Sequence, residues 1–128
     1  LLSPAERSFF GVLNQAIGDF ALIFSKVRVA DIVKPKKGMD RRNWQRAFNR
    51  ISSKHFDFVL CKKDDVSVIC VIELNDSSHK SRKRQNRDEL LRDICASAAL
   101  LIIEVAAKRS YSVEEIREQI FQFIDGSS

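Results

Sequence analysis

The tightest constraint on the fold lies between Phe56 and His79. Val66 to Leu74 is an almost unbroken apolar run rich in Val and Ile, the composition of a central strand covered on both faces. Ahead of it, Phe56, Phe58 and Leu60 alternate with Asp57, Val59 and Cys61, the two-residue period of a strand. Lys62-Lys63-Asp64-Asp65 between them is a polar turn. The stretch therefore predicts a hairpin of two buried strands. Glu73 closes the apolar run. Side chains two apart on a strand share a face, so Glu73 and Asn75 point one way and Leu74 the other. Pairing through the short turn puts Asp57 beside Glu73. Two carboxylates, the Asn75 amide and the His79 imidazole then converge at one edge of a sheet.

A carboxylate at the end of an apolar strand is costly to desolvate without compensation. A hard cation such as Mg²⁺ is one compensation, held by one or two carboxylates with water and phosphate oxygens completing its shell. A Lys or Arg partner is the other, and the chain has 22 Lys and Arg. The residues alone leave both readings open.

Asp57, the run Glu73-Leu74-Asn75-Asp76-Ser77-Ser78-His79, and Arg87-Asp88 ahead of a Leu-rich helix together resemble the PD-(D/E)XK, restriction-endonuclease-like superfamily. They are most similar to a bacterial domain-of-unknown-function branch near the very-short-patch-repair endonucleases, with the Glu-to-His register matching residue for residue. The resemblance covers nearly the whole chain. It implies a three-layer α/β/α fold with a four-stranded mixed sheet. It implies a metal-dependent nuclease acting on DNA, with Mg²⁺ or Mn²⁺ on Asp57 and Glu73. It implies a general acid or base at His79, whose ordinary pKa is near neutral; the plain alternative is a hydrogen bond within the loop. The position two beyond the Glu, usually Lys in nucleases of this fold and Asp in nearer relatives, is Asn75 here. An amide supplies no charge to a growing negative transition state. Lys80 or Lys83 would then bring that cation from the next helix.

At 128 residues the chain has the length of one domain with one real core. It begins Leu1-Leu2-Ser3-Pro4 without Met and is read as a domain of a longer protein, whose other domains are expected partners. No apolar run approaches a membrane span. Cys61, Cys70 and Cys95 lack zinc spacing and lie in apolar patterns, the usage of reduced core thiols in a cytoplasmic protein. The net charge of +5 is modest, so clustering decides what it means.

Along the chain, Ser3-Pro4-Ala5-Glu6 is a capping box opening a helix with Phe9, Val12, Leu13 and Ala16 on one stripe. Capping explains Glu6 fully; the superfamily often places a Glu on this helix near the metal, which makes Glu6 a candidate there too. Ile23 to Val29 reads as the first strand, and Pro35 and Gly38 mark a loop. Asp40 caps a short helix with Trp44, Ala47, Phe48 and Ile51 on its apolar side and Arg42, Arg46 and Arg50 on the other. Lys34 to Arg50 holds seven cations against one anion. Such a run is either a solvated face or a phosphate-binding face, and the lack of interleaved acids favours phosphate. His55 reads as a surface residue.

A helix from about Ser81 to Ala98 buries Leu90, Leu91, Ile94, Cys95 and Ala98. Its first half, Lys80 to Arg87, is basic where the helix dipole favours acids. Lys80, Arg84 and Arg87 are accordingly candidates for nucleic-acid phosphates, and Lys83 shares the face of Arg87. Asp88 has Arg84 or Arg92 as a partner. Leu100 to Val105 is a buried strand, in which Glu104 stands where relatives often have Arg. Tyr111-Ser112-Val113-Glu114-Glu115-Ile116 is a second capping box with a Tyr111–Ile116 staple, opening a last helix ended by Gly126.

Gly11, Gly18, Gly38 and Gly126 are too scattered for a nucleotide-binding loop. No Cys–His nucleophile arrangement or haem signature is present. Three functions stand: a metal-dependent nuclease, a nucleic-acid-binding module that has lost cleavage, and a plain interaction domain.

Overall fold

The structure is a computed structural model that describes residues 1–33, 40–75 and 82–126, without the side chains of residues 47, 51, 82–88 and 97. The elements run α1 (Pro4–Ile17), β1 (Leu22–Arg28), α2 (Val29–Ile32), α3 (Arg41–Ile51), β2 (His55–Cys61), β3 (Val68–Asn75), α4 (Arg82–Ser97), β4 (Ile102–Ala106) and α5 (Val113–Gly126). The four strands form one mixed sheet in the order β1-β2-β3-β4. β1 and β3 are antiparallel to β2, and β4 is parallel to β3.

The two-residue period sorts the sheet from Phe58 onward into two faces, while Phe56 packs with the second cluster rather than with Phe58 and Leu60. Phe58, Leu60, Cys70, Ile72, Ile103 and Val105 pack against Phe9, Leu13 and Ile17 of α1 and Ile116 and Ile120 of α5. Val59, Cys61 and Val71 pack on the other side with Trp44 of α3 and Leu91, Ile94 and Cys95 of α4. The result is the expected three-layer α/β arrangement. All three cysteines are free and buried. Burial pushes the Cys70 thiol up to about 12 and the Cys95 thiol up to about 11, so neither is a nucleophile.

Local signals set the element ends. Ser3 Oγ accepts from Glu6 N at 3.1 Å and Glu6 Oε1 accepts from Ser3 N at 2.9 Å, both arms of the capping box. Asp40 caps α3, with Oδ1 accepting from Arg42 N at 3.1 Å. At α5 the Ser112 hydroxyl accepts from Glu115 N at 3.4 Å. Tyr111 packs edge-on against Phe9, ring centres 5.2 Å apart, and its hydroxyl accepts from Lys108 N at 2.8 Å.

Several strand boundaries differ from the sequence reading; the fourth strand, for one, runs Ile102–Ala106 rather than Leu100 to Val105. The first strand begins and ends one residue earlier, because Val29 turns into the short helix α2 and is wholly buried there. The turn between β2 and β3 runs on through Ser67, whose N and Oγ both donate to Asp65 Oδ1 at 2.9 and 2.7 Å. These bonds hold the Asp65 carboxyl below its usual value. Val66 thus leaves the strand, is 52% exposed and sits at φ +60°. That region costs a β-branched residue. Val66→Gly is expected to raise stability by about 1 kcal/mol, read as a higher midpoint in urea with an unchanged slope.

Candidate cation site at the end of the central strands

The sheet brings Asp57 and Glu73 together. β2 and β3 are paired through Phe58↔Ile72, and the two acids stand one step past that pair. Asp57 shares a face with Val59, and Glu73 with Val71, so both carboxyls belong to the α3/α4 side. Their side chains take over where the ladder ends. Asp57 Oδ2 accepts from Leu74 N at 2.8 Å, and Glu73 Oε2 accepts from Asp57 N at 3.4 Å. Each acid is thereby tied to the other's strand. Both are half-buried. β2 and β3 are the two interior strands, so the site lies at the end of the sheet's centre rather than along an outer edge.

Burial and the facing Asp57 carboxyl push the Glu73 carboxyl up, to about 9, against the opposing pull of Lys54. Among the described residues three sealed polar atoms have no hydrogen-bond partner: Trp44 Nε1, Glu73 Oε1 and Asn75 Oδ1. Two of the three are oxygens on the same strand face, two residues apart. Neither Asp57 nor Glu73 forms an ion pair with a guanidinium among the described residues. A buried oxygen without a donor carries a full desolvation cost, and a second carboxyl nearby adds to it. A hard divalent cation removes both costs, and a set of two carboxylates and an amide oxygen is what Mg²⁺ or Mn²⁺ takes alongside water and phosphate. Among the described residues no group of three or more His, Cys, Asp or Glu side chains is placed to hold a metal ion, so the carboxylate contribution here is the Asp57–Glu73 pair alone.

Glu104 continues the row. It is level with Glu73 in the parallel β3–β4 register. Its Oε1 meets Arg92 Nε at 2.7 Å and its Oε2 accepts from Asn75 Nδ2 at 3.4 Å. Arg92 thus pairs with Glu104 across the layer. Glu6 is not among the converging acids. It caps α1, and its carboxylate pairs with Lys26 Nζ. Burial acts against its charge, but Lys26 and Ser3 outweigh it and hold the carboxyl below its ordinary value. Lys26, at φ +56°, lies between the Ser25↔Phe58 and Val27↔Phe56 pairs, level with Asp57.

Arg42, Arg46 and Arg50 are exposed on α3 and pair with no carboxylate among the described residues, while Trp44 points inward, stacked on Phe48 with ring centres 4.8 Å apart. His79 and Lys80 lie outside the described residues, as does the Pro35–Gly38 loop. Lys83, Arg84 and Arg87 fall on the backbone of α4, their side chains outside the described set. Sequence reasoning missed Lys54, whose charge reaches Glu73, and the Glu104–Arg92 pair. With β4 parallel to β3, Glu104 holds in the apolar run Leu100 to Val105 the place that Glu73 holds in its own, a match that only the register reveals.

The chain belongs to the family described as protein of unknown function (DUF2726), whose family model matches residues 1–123. No curated protein and no solved structure matches it. Among the described residues no helix is long and apolar enough to cross a membrane.

Proposed function

We propose that this member of the family is a divalent-metal-dependent nuclease-like domain that hydrolyses phosphodiester bonds of DNA, on a fold of the restriction-endonuclease type. One observation carries the reading. Two acids on the central strands face each other, with an unpartnered oxygen on Glu73 and no guanidinium to neutralise them among the described residues. Acids held this way are expensive at rest and become favourable when a cation and a phosphate arrive. Asp57 and Glu73 would hold Mg²⁺ or Mn²⁺. A bound cation of this kind supplies Lewis-acid polarisation of a phosphate oxygen and an activated water.

The remaining work falls to the chain's own groups. The crossed hydrogen bonds between Asp57, Leu74 and Glu73 fix both carboxyls before substrate binds, which is the preorganisation that positioning requires. Lys54 is a described cation whose field reaches Glu73, and it would offset negative charge that Asn75 leaves uncompensated. Proton transfer is assigned to His79, and further phosphate contacts to Lys80, Lys83, Arg84 and Arg87. Arg42, Arg46 and Arg50, exposed on the helix layer that shares the acids' side of the sheet, would hold the phosphate backbone.

Replacing Arg42, Arg46 and Arg50 together by Ala is expected to weaken DNA binding about equally for all sequences. The slope of log affinity against log salt should fall by about one unit per arginine lost. Fluorescence anisotropy across a salt series checks this, and an unchanged slope would remove α3 from the interface.

One observation favours a second reading, a DNA-binding module without cleavage. Asn75 brings no charge, and its amide nitrogen is engaged by Glu104. Salt-dependent DNA affinity with no metal-dependent cleavage would select it.

A further inference from the structure

The row of acids across the sheet contains a device that the carboxylates alone do not explain. Asn75 lies two residues beyond Glu73, on the same face and at the end of β3. Its amide has two ends. Nδ2 donates to Glu104 Oε2 at 3.4 Å, while Oδ1 is sealed from solvent and has no partner among the described residues. A carboxylate only accepts hydrogen bonds. The amide group that meets Glu104 must therefore be the NH₂, and the oxygen must turn away from it. Glu104 cannot swing aside freely, because its other oxygen is held by Arg92 Nε at 2.7 Å. The oxygen so displayed lies on the strand face that also carries the unpartnered Oε1 of Glu73.

We infer that Asn75 Oδ1 is a third oxygen donor of the cation site, and that Glu104, anchored by Arg92, is the positioning residue that keeps this oxygen turned toward it. The inference rests on the cation-site reading of Asp57 and Glu73 given above. It assigns to the Asn at this position a ligand role in place of a charge. It also gives the acid on β4 a task although it does not touch the ion. Partners of this kind, one shell out from the metal, orient the ligands and tune affinity.

The side chains of the Arg92–Glu104 pair are 45% and 35% exposed. A pair so open contributes little stability, so removing its charge leaves the fold intact. The test is a cycle of four chains, wild type, Glu104→Gln, Asn75→Asp and the double variant, titrated calorimetrically with Mn²⁺ alone. In Glu104→Gln the new amide offers either an acceptor or a donor, which frees the Asn75 amide to flip. In Asn75→Asp the side chain carries an oxygen at both ends, so its orientation ceases to matter. Glu104→Gln is expected to weaken Mn²⁺ binding about tenfold in the wild-type background and to cause no loss in the Asn75→Asp background. An equal loss in both backgrounds would show a merely structural role for Glu104, and no loss in either would show that it positions nothing; both overturn the inference. Asp57→Asn and Glu73→Gln, titrated in parallel, separate this from the parent reading. If the wild type binds no Mn²⁺, or if these two variants bind it as tightly, the cation site itself is refuted.

Discussion

Glu73→Gln is expected to abolish metal-dependent cleavage of DNA while leaving the fold standing. Gln is nearly the same shape as Glu, and its amide oxygen can still accept from Asp57 N, the bond that Glu73 Oε2 accepts at 3.4 Å. What disappears is the negative charge. Loss of a group that merely orients a metal ligand costs about 10- to 100-fold, so loss of the ligand's charge should cost more than about a hundredfold. The comparison is a cleavage assay on plasmid and single-stranded DNA in Mg²⁺ and in Mn²⁺, with circular dichroism confirming the fold. Cleavage persisting in the variant would take Glu73 out of the chemistry.

The second large effect is on stability against pH. In the folded chain, burial and the facing Asp57 carboxyl push the Glu73 carboxyl from 4.5 up to about 9. Below pH 4.5 the folded and unfolded chains both hold the proton, and this group imposes no penalty. Above it the unfolded chain ionises while the folded chain keeps its proton, so the unfolded state gains. The stability tied to Glu73 is therefore full at low pH and is lost as pH rises toward 9. The loss should be of order a few kcal/mol, or about 5–10 °C in Tm for a domain of this size. The difference between wild type and Glu73→Gln isolates it from other titrating groups. The variant should gain on the wild type steadily from about pH 5 to about pH 9. A bound divalent cation takes the place of the proton, so Mg²⁺ should raise the wild-type Tm more at about pH 8 than at about pH 5, and should leave the variant unmoved. A wild-type-minus-variant difference that stays constant with pH would contradict the buried acid pair.

The fold was legible where burial is one-sided or two-sided in a regular period. Phe58 to Cys61 and Val68 to Ile72 are apolar throughout because both faces of these strands are covered by helices. Capping residues marked the starts of α1, α3 and α5 because each is a local hydrogen bond, Ser3 with Glu6, Asp40 with Arg42 and Ser112 with Glu115. The start of β3 was not legible. Val66 has the composition of a strand residue, but the Asp65–Ser67 bonds capture the backbone first. Local polar bonding defeated side-chain propensity there.

At the site, the adjacency of Asp57 and Glu73 followed from the hairpin and a count of positions. The role of Glu104 did not, because it depends on a parallel crossover through α4, and nothing local in sequence sets that register. The same is true of Lys54, which reaches Glu73 from the approach to the neighbouring strand. Residues joined by a turn were readable; residues joined by topology were not.

The central claim is that Asp57 and Glu73 form a divalent-cation site. Anomalous diffraction from a crystal soaked in Mn²⁺ tests it most directly. One strong peak is expected between the two carboxyl groups, within reach of Glu73 Oε1, and absent from a Glu73→Gln crystal treated identically. No peak there, or a peak that survives the substitution, would contradict it.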